Sequence, residues 1–479
     1  MKKVTNPSSP ESSALNERVD LLVIGTGAAG MAAAIRGAEL GRRVAIVEDG
    51  TVGGTCVNVG CIPSKALLAV AEAYHSARVG FPGVDGFGVS VSWRDIRERK
   101  RELVASLQRS KYLDVLEGYP TISLLRGRAR FTDIGAVSVD GVLHPAEKVV
   151  IATGTSPWLP PIPGLDAQDV LTSTTLMELD ELPASLIVLG GSAVGLELGQ
   201  MMARLGVRIT VLEMLPVLLS AEDADASEVL RKCLETEGLE IVTGALVTQA
   251  AHVNDRVAVS ATVSGEERTF EADRILVATG RRANTSELGL DQVGVERDAN
   301  GFVRVDDGMR TSNDDIFAAG DVTGGPGFVY VAAAGGRVAA ENALGEGGRT
   351  LDLRAVPRVT FTSPQVASVG IGRHEALERG LDVDVSRLGL EHVPRALVEH
   401  RTDGWIQVVA EKGTGRIVGV QGVGPHAAEM LGEAALAVRL NLTIEQVTDT
   451  LHPYLTWVEG FKLAVQGFRT DVSKLSCCA

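Results

Sequence analysis

Two cysteines separated by four residues, Cys56 and Cys61, have the clearest capacity for chemistry in this sequence. They lie in the segment GGTCVNVGCIPSK, at the predicted opening of a helix. This spacing can bring both sulfurs within disulfide reach, and the helix N-terminus stabilises a thiolate. The pair therefore predicts a redox disulfide, and the alternative of two unrelated buried cysteines is weak.

A second pair, Cys477 and Cys478, stands next to the last residue. Adjacent cysteines cannot form an unstrained disulfide with each other, so in a reducing cell they should stay mostly as thiols. Soft thiolates suit soft metals such as Hg(II), which prefers two sulfurs in a line. We therefore predict that this tail binds a soft metal ion; an incidental pair is disfavoured because exposed thiols are a liability.

The elements that must position these cysteines form an internal repeat. GTGAAG begins at Gly25 and GGSAVG at Gly190, an offset of 165 residues, and each continues through a helical pattern into a strand that ends in an acid. This is the βαβ unit of a doubly wound parallel sheet, with glycines that admit a pyrophosphate. The cofactor-binding residues predicted from the two copies are Gly25, Gly27, Gly30, Glu48, Gly190, Ser192, Gly195 and Glu213.

The acids at the strand ends predict how each nucleotide is held. Glu48 is placed to accept hydrogen bonds from a ribose diol. Glu213 favours a free 2′-hydroxyl and repels a 2′-phosphate, and Met214 supplies no guanidinium to offset it. The second site is therefore predicted to prefer NADH.

Composition narrows the class of partner and the compartment. The chain has 61 acidic and 46 basic residues, which argues against binding to nucleic acid or to anionic membrane surfaces. The apolar runs are of strand length, so no membrane crossing is predicted. Five cysteines among 479 residues are too few for a disulfide framework, and no apolar leader is apparent, so we expect a cytoplasmic protein.

The chain is long enough for several domains. A second repeated segment, VVIATG ending at Gly154 and ILVATG ending at Gly280, marks the points where the chain crosses between domains. After Thr350 the pattern changes to alternating strands. We predict an α/β fold with two Rossmann-like dinucleotide-binding domains and a C-terminal mixed α/β domain. The predicted boundaries are a flexible tail at 1–16, an FAD-binding domain at 17–156 and 281–348, an NAD(P)-binding domain at 157–280, and a dimerisation domain at 349–479 that ends in the Cys-Cys tail.

The motif CVNVGCIPSK resembles that of the FAD-dependent class I pyridine nucleotide:disulfide oxidoreductases, and the resemblance runs from about residue 17 to 479. It implies bound FAD, reduction by NADPH or NADH, Cys61 against the flavin, and Cys56 as the exchange thiol. It also implies an ion pair between Lys65 and Glu197 beside the flavin and nicotinamide; a buried lysine requires such a partner. The further cofactor contacts that it implies are Gly54, Thr55, Lys65, Thr153, Gly154, Gly280 and Asp321.

The C-terminal region points to the substrate. Disulfide reductases of this family carry His-Pro followed by a carboxylate; here His452 and Pro453 are present, but the carboxylate, Glu459, is displaced by two residues. His452 is thus either catalytic or a structural residue. PYLTWVEGFKLA and the terminal SCCA resemble the mercuric reductases of this family. That resemblance implies a homodimer with composite active sites, in which Tyr454, Cys477 and Cys478 of one subunit serve Cys56 and Cys61 of the other, and Hg(II) arrives as thiol complexes.

Two departures and two alternatives accompany this prediction. No Cys-x-x-Cys domain precedes residue 17, so delivery of the metal is expected to rely on the tail or on outside carriers. The related enzymes commonly use NADPH, which disagrees with the preference for NADH inferred from Glu213.

The first alternative is a thioredoxin reductase-like enzyme with the C-terminal pair as electron relay. The second is a protein that sequesters Hg(II) without turnover. Cys233 is predicted to be a helix residue without chemistry.

Overall fold

The computed structural model describes residues 18–86, 88–133, 136–165, 170–254, 256–345, 347–471 and 474. The predicted flexible tail at 1–16 lies outside these described residues. So do Cys477 and Cys478, the predicted metal-binding pair.

The described residues form both strands and helices. The strands are β1 (Val19–Ile24), β2 (Val44–Glu48), β3 (Ile122–Arg126), β4 (Ala129–Asp133), β5 (Ala136–Val139), β6 (Val142–Ile151), β7 (Thr155–Pro157), β8 (Ser185–Leu189), β9 (Arg208–Glu213), β10 (Glu240–Thr243), β11 (Ala245–Val253), β12 (Arg256–Val263), β13 (Glu266–Ala272), β14 (Arg274–Val277), β15 (Arg281–Ala283), β16 (Ile316–Ala318), β17 (Arg358–Thr360), β18 (Gln365–Gly370), β19 (Val383–Gly389), β20 (Trp405–Glu411) and β21 (Ile417–Gly424).

The α-helices are α1 (Ala28–Glu39), α2 (Gly54–Asn58), α3 (Cys61–Val79), α4 (Trp93–Gln108), α5 (Asp114–Glu117), α6 (Ser173–Leu176), α7 (Ala193–Arg204), α8 (Ala224–Thr236), α9 (Val329–Leu344), α10 (Arg373–Glu378), α11 (Pro394–Val398), α12 (Ala427–Arg439), α13 (Ile444–Asp449) and α14 (Trp457–Gln466). A π-helical turn spans Arg109–Leu113, and short 3₁₀ turns span Leu290–Val293, Asp321–Thr323 and Leu390–His392.

The chain divides into two compact units. The first consists of Met1–Pro63, Arg99–Pro157 and Arg281–Leu351, and the second of Ser64–Glu98, Trp158–Gly280 and Asp352–Ala479. The finer division into an FAD-binding, an NAD(P)-binding and a dimerisation domain stays a prediction.

The first unit is built on a seven-stranded sheet in which β3, β2, β1, β6, β5 and β4 are adjacent in that order, and β16 also pairs with β6. The strands β3, β2, β1, β6 and β16 run parallel, whereas β4 and β5 form an antiparallel arm on β6. The central strand β1 is apolar from Leu21 to Ile24, and its side chains alternate between two apolar cores, one shared with α1 and α9 and the other with β4 and β5. Leu21, Leu22 and Val23 are fully buried there, each contributing roughly 1.5–3 kcal/mol of hydrophobic stabilisation.

The second unit contains three sheets. Strands β10, β9, β8 and β14 form a parallel sheet, and β11, β12 and β13 form an antiparallel one. The third sheet is antiparallel, with the order β17, β18, β21, β20, β19, and helices α12 and α14 pack against it through one apolar core. The alternating strands and the following helix predicted after Thr350 are β20, β21 and α12.

The repeat predicted from the sequence is confirmed. The first copy folds as β1, α1 and β2, and the second as β8, α7 and β9, with parallel strand pairs in both. The strands of the second repeated segment, β6 and β14, each pair with the first strand of a copy and end just before a glycine turn. The α/β fold with Rossmann-like units is therefore confirmed.

One helical stretch among the described residues, Gly54–Val79, has the length and hydropathy of a membrane span. It is the stretch that carries Cys56, Cys61 and Lys65. A single stretch of this kind is weak evidence for a span, because core helices of proteins that never enter a membrane have the same properties. Its ionisable side chains fit a site for chemistry better than a lipid environment.

Candidate active site

The first nucleotide turn joins β1 to α1 and has no room for a side chain at Gly25 or at Gly30. Gly25 has φ +105°, and a Cβ there would lie 2.4 Å from the carbonyl oxygen of Ala152. A Cβ on Gly30 would lie 1.9 Å from the carbonyl oxygen of Gly25. At Gly27, the residue before α1, the nearest atom to such a Cβ is 3.9 Å away. The open position is thus at the helix N-terminus, the kind of place that favours a pyrophosphate.

Glu48 closes this turn from the end of β2. One carboxylate oxygen accepts the Thr26 amide at 3.1 Å, and the other accepts the Gly50 amide at 2.9 Å. The Thr26 hydroxyl also donates to the Glu48 carboxylate and accepts the Gly53 amide at 3.0 Å. Glu48 therefore holds the turn in shape, and it stays partly exposed beside the open position, where a ribose diol can bond to it.

The cysteine segment begins directly against this turn. Gly54, with φ +64°, approaches so closely that a Cβ on it would lie 2.6 Å from the Cα of Gly27. Cys56 lies in the short helix α2 and is half-buried, whereas Cys61 is the first residue of α3 and is exposed. The structure thus brings the predicted redox cysteines, with Gly54 and Thr55, to the edge of the predicted flavin turn.

Two residues that the sequence analysis missed interact electrostatically with the cysteines. Burial, followed by the charges of Cys56 and Cys61, raises the pKa of Tyr112, which keeps its phenol protonated. Tyr112 lies in the π-helical turn, a rare element often found at functional sites. Burial lowers the pKa of Arg281, while Asp321 and Cys61 act in the opposite direction. The π-helical turn is the feature that would have identified Tyr112, but such a turn has no clear signal in the sequence.

Arg281 belongs to a polar chain that reaches Asp321. The Arg281 guanidinium donates to the hydroxyl and the carbonyl oxygen of Thr155, both at 2.7 Å, and the Thr155 hydroxyl donates to the Asp321 carboxylate at 3.2 Å. The Thr153 hydroxyl is bonded to the carbonyl oxygen of Asn284 at 2.9 Å. Gly154 has φ +65° and no atom within 4 Å of a Cβ position, which leaves space at this turn.

The second nucleotide turn repeats the geometry of the first. A Cβ on Gly190 would lie 2.5 Å from the carbonyl oxygen of Ala278, and one on Gly195 would lie 2.0 Å from that of Gly190. Ser192 precedes α7 and makes no side-chain cap, so its helix N-terminus is open. The carboxylate of Glu213 accepts the Gly191 amide at 2.5 Å and the Leu215 amide at 2.7 Å.

Lys65 and Glu197 form the predicted ion pair, with Lys65 Nζ 2.6 Å from Glu197 Oε2. The second oxygen of Glu197 accepts the Phe361 amide at 2.8 Å, and the Phe361 ring centroid lies 4.7 Å from Lys65 Nζ. Gln200 holds the same segment through two bonds to the Ser363 backbone, at 2.8 and 2.7 Å. The ammonium is therefore held by a carboxylate and an aromatic face, and both are braced by α7. It lines a cavity of about 270 Å³.

His452 is oriented by a carboxylate that the sequence analysis did not single out. Its Nε2 lies 2.6 Å from Glu433 Oε1 and its Nδ1 lies 2.9 Å from the carbonyl oxygen of Thr450, and its side chain is 3% exposed. Glu459, the displaced carboxylate, instead accepts the Leu455 amide at 3.0 Å. Tyr454 is 47% exposed. A catalytic role for His452 stays a prediction, and the geometry favours the structural alternative.

Comparison with known families agrees with this geometry. Residues 19–336 match the family model described as pyridine nucleotide-disulphide oxidoreductase, and residues 356–465 match the dimerisation domain of that family. The chain belongs to the pyridine nucleotide-disulphide oxidoreductases. As a member of this family, it is an FAD-dependent NAD(P)H oxidoreductase, and its dimerisation domain makes a second copy of the chain its partner.

Individual relatives of this oxidoreductase are similar over nearly its full length. It is 43% identical to a mercuric reductase from Lysinibacillus sphaericus over 480 residues, which is 100% of this chain and 88% of the relative. It is 44% identical to a mercuric reductase from Streptomyces lividans over 467 residues, 96% of this chain and 98% of the relative.

Solved structures of other flavoprotein reductases have the same fold. LpdA from Mycobacterium tuberculosis matches with a TM-score of 0.85 at 29% identity, covering 94% of this chain and 100% of that one. The Cu(II) complex of the HOCl-induced flavoprotein disulfide reductase RclA from Escherichia coli matches with a TM-score of 0.84 at 30% identity, covering 94% and 99%.

Proposed function

We propose that this oxidoreductase reduces Hg(II) to Hg(0) with electrons from NAD(P)H. The observation that carries the proposal is the 41–44% identity to mercuric reductases from Lysinibacillus, Bacillus and Streptomyces across at least 96% of this chain. The overall reaction balances as Hg(II) plus NAD(P)H giving Hg(0), NAD(P)⁺ and one proton. The redox cysteines and the C-terminal Cys477 and Cys478 supply the thiols that Hg(II) prefers.

The residues at the first turn fit FAD. Gly27 leaves an open helix N-terminus for the pyrophosphate, and Glu48 stands at the strand end where a ribose binds. Gly54, Thr55, Thr153, Gly154 and Asp321 complete the proposed site. FAD, when bound, accepts a hydride and passes the electron pair on. The chain itself provides the turn, the cysteines and the charged residues around them.

The second turn supports binding of a nicotinamide dinucleotide, and we propose a preference for NADH. Glu213 is 9% exposed, and its two oxygens already accept the Gly191 and Leu215 amides, so its negative charge is fixed at the turn. The next residues, Met214 and Leu215, are exposed and apolar and offer a 2′-phosphate no cation. A phosphate there would face a carboxylate without compensation. Gly190, Ser192, Gly195 and Gly280 complete this proposed site.

Cys56 and Cys61 are the proposed site of Hg(II) reduction. Cys61 begins α3, where the helix N-terminus favours the thiolate that metal binding requires. The raised pKa of Tyr112 keeps its phenol neutral, so this residue adds no negative charge near the two thiolates that act on it. Cys56, which is half-buried in α2, is the proposed exchange thiol.

Lys65 is proposed to supply a fixed positive charge for the transfer of electrons from the nicotinamide. Glu197 and the Phe361 ring hold its ammonium at 2.6 and 4.7 Å, so the charge does not have to be ordered during turnover. Preorganised charge of this kind usually contributes more to catalysis than a mobile side chain does.

Delivery of the metal is proposed to come from the second subunit. Cys477 and Cys478 of one subunit take Hg(II) from small thiol complexes in the cytoplasm and pass it to Cys56 and Cys61 of the other. Tyr454, which is 47% exposed, would contribute to this composite site. Exchange between thiolates proceeds by attack of an incoming sulfur, so a series of paired thiols suits such a transfer.

The experiment that tests this function measures oxidation of NADH and NADPH with Hg(II) in excess small thiol, with a trap for mercury vapour. Vapour in proportion to oxidised nucleotide, and a higher kcat/KM with NADH, would support both the reaction and the cofactor preference. Oxidation only with disulfides or oxidised thioredoxin would instead support a thiol-disulfide reductase. Bound Hg(II) without vapour would support sequestration.

A further inference from the structure

The imidazole of His452 is bonded on both sides to hydrogen-bond acceptors. Nδ1 faces the carbonyl oxygen of Thr450 at 2.9 Å, and Nε2 faces a carboxylate oxygen of Glu433 at 2.6 Å. A carbonyl oxygen and a carboxylate oxygen both accept hydrogen bonds, so this geometry suits a ring that carries hydrogen on both nitrogens. A ring bonded in this way has no N–H group left to give to a substrate.

Glu433 and His452 connect two different elements. Glu433 lies in the middle of α12, whose apolar side packs on the five-stranded sheet. His452 lies in the connection from α13 to α14, and its side chain is 3% exposed. The short bond between the buried His452 ring and Glu433 therefore anchors the connection to the helix.

The other end of the connection is anchored to α14. Glu459 accepts the Leu455 amide at 3.0 Å, and the Thr456 hydroxyl donates to the carbonyl oxygen of Pro453 at 2.8 Å. Leu451, which precedes His452, is 93% exposed, and Tyr454, which lies between the two anchors, is 47% exposed. We call the segment 451–455, which is held at His452 and at Leu455, the Tyr454 loop.

We propose that Glu433 is a positioning residue, which acts through the His452 ring to hold the Tyr454 loop in the shape that presents Tyr454 to the second subunit. In this arrangement His452 is the structural partner of Glu433 and takes no part in acid-base chemistry. The proposal rests on the proposed function for the role of Tyr454 in mercury reduction. The bond between His452 and Glu433 and the shape of the loop do not depend on that role.

The first test observes the pair directly in the FAD-bound dimer. Selective ¹⁵N labelling of the eight histidines, with the His452→Asn variant to assign the signal, should show hydrogen on both ring nitrogens of His452 at neutral pH. Glu433→Gln removes the negative charge and keeps the side-chain shape, so one of the two N–H signals should disappear. A wild-type ring with a single N–H would overturn the proposal, whatever the variants do.

The second test separates positioning from general damage. Glu433→Gln should lower kcat/KM for Hg(II) about tenfold, because a small misplacement of a binding group is costly, while reduction of bound FAD by NADH should keep its wild-type rate. Glu429→Gln, a variant of an exposed glutamate on the same helix, is the matched control and should change neither. Wild-type kcat/KM in Glu433→Gln would refute the positioning role.

A third readout needs no mercury. With 3-fluorotyrosine in place of the five tyrosines, the ¹⁹F signal of Tyr454 should shift or broaden in Glu433→Gln and stay unchanged in Glu429→Gln. An unchanged signal in Glu433→Gln would overturn the proposal even if the enzyme reduces mercury. Absence of mercury vapour from the wild type would overturn the proposed function alone.

Discussion

Replacing Glu197 by Gln tests whether this carboxylate fixes the Lys65 ammonium. The amide oxygen can still accept the Phe361 amide, but its NH₂ group then faces Lys65, so two donors meet where an ion pair stood. Breaking a fully buried ion pair costs about 3–5 kcal/mol. Because the Lys65 side chain is 37% exposed and water can reach it, we expect a smaller loss of unfolding free energy, about 1–2 kcal/mol.

The effect on rate should be larger than the effect on stability. A shift of the ammonium by about 1 Å reduces a rate by up to about 100-fold. We therefore expect reduction of the bound FAD by NADH to slow about 10- to 100-fold, which corresponds to about 1.4–2.7 kcal/mol in activation free energy. Stopped-flow bleaching of the flavin absorbance under anaerobic conditions measures this step without mercury.

The matched control is Glu228→Gln, the same substitution at an exposed position of α8, which should leave the rate unchanged. The melting temperature provides the second measurement, since about 1 kcal/mol shifts it by about 2–4 °C in a domain of 150–250 residues. A reduction rate of Glu197→Gln within twofold of the wild type, with an unchanged melting temperature, would refute the reasoning.

Three further predictions concern the cysteines. Cys56→Ala and Cys61→Ala should each abolish Hg(II) reduction while FAD stays bound, as vapour trapping and the flavin spectrum would reveal; full turnover in either would contradict the assignment. The double variant Cys477→Ala/Cys478→Ala should impair reduction of bulky mercury-thiol complexes more than that of small ones, and equal losses on both would refute the delivery role. Burial raises the pKa of Cys233 to about 11, so its thiol should resist alkylation at pH 8. The alkylation rate should rise about tenfold per pH unit until the pH approaches 11. Fast alkylation at pH 8, measured by mass spectrometry, would contradict this prediction.

The sequence was enough to predict the repeat and its turns because these features are local. Gly25 and Gly190 have positive φ, and Gly30 and Gly195 closely approach the carbonyl oxygens of those two residues, so these requirements are set within one βαβ unit. The pairing of Lys65 with Glu197 was predictable only through the family resemblance, since 132 residues separate them. The redox pair Cys56 and Cys61 was also predictable, because its spacing is a local feature of the sequence like the glycine turns.

Only the tertiary structure decided which groups surround these residues. The acid beside His452 is Glu433 of α12, and not the downstream Glu459, which the sequence shows to be displaced by two residues from the family position. The packing of the first unit brings Tyr112 into electrostatic range of Cys56 and Cys61, and Arg281 into that of Cys61. Sequence periodicity reports which face of an element is buried, but the partner of a polar side chain depends on how distant elements pack, and a single sequence does not encode that in any local pattern.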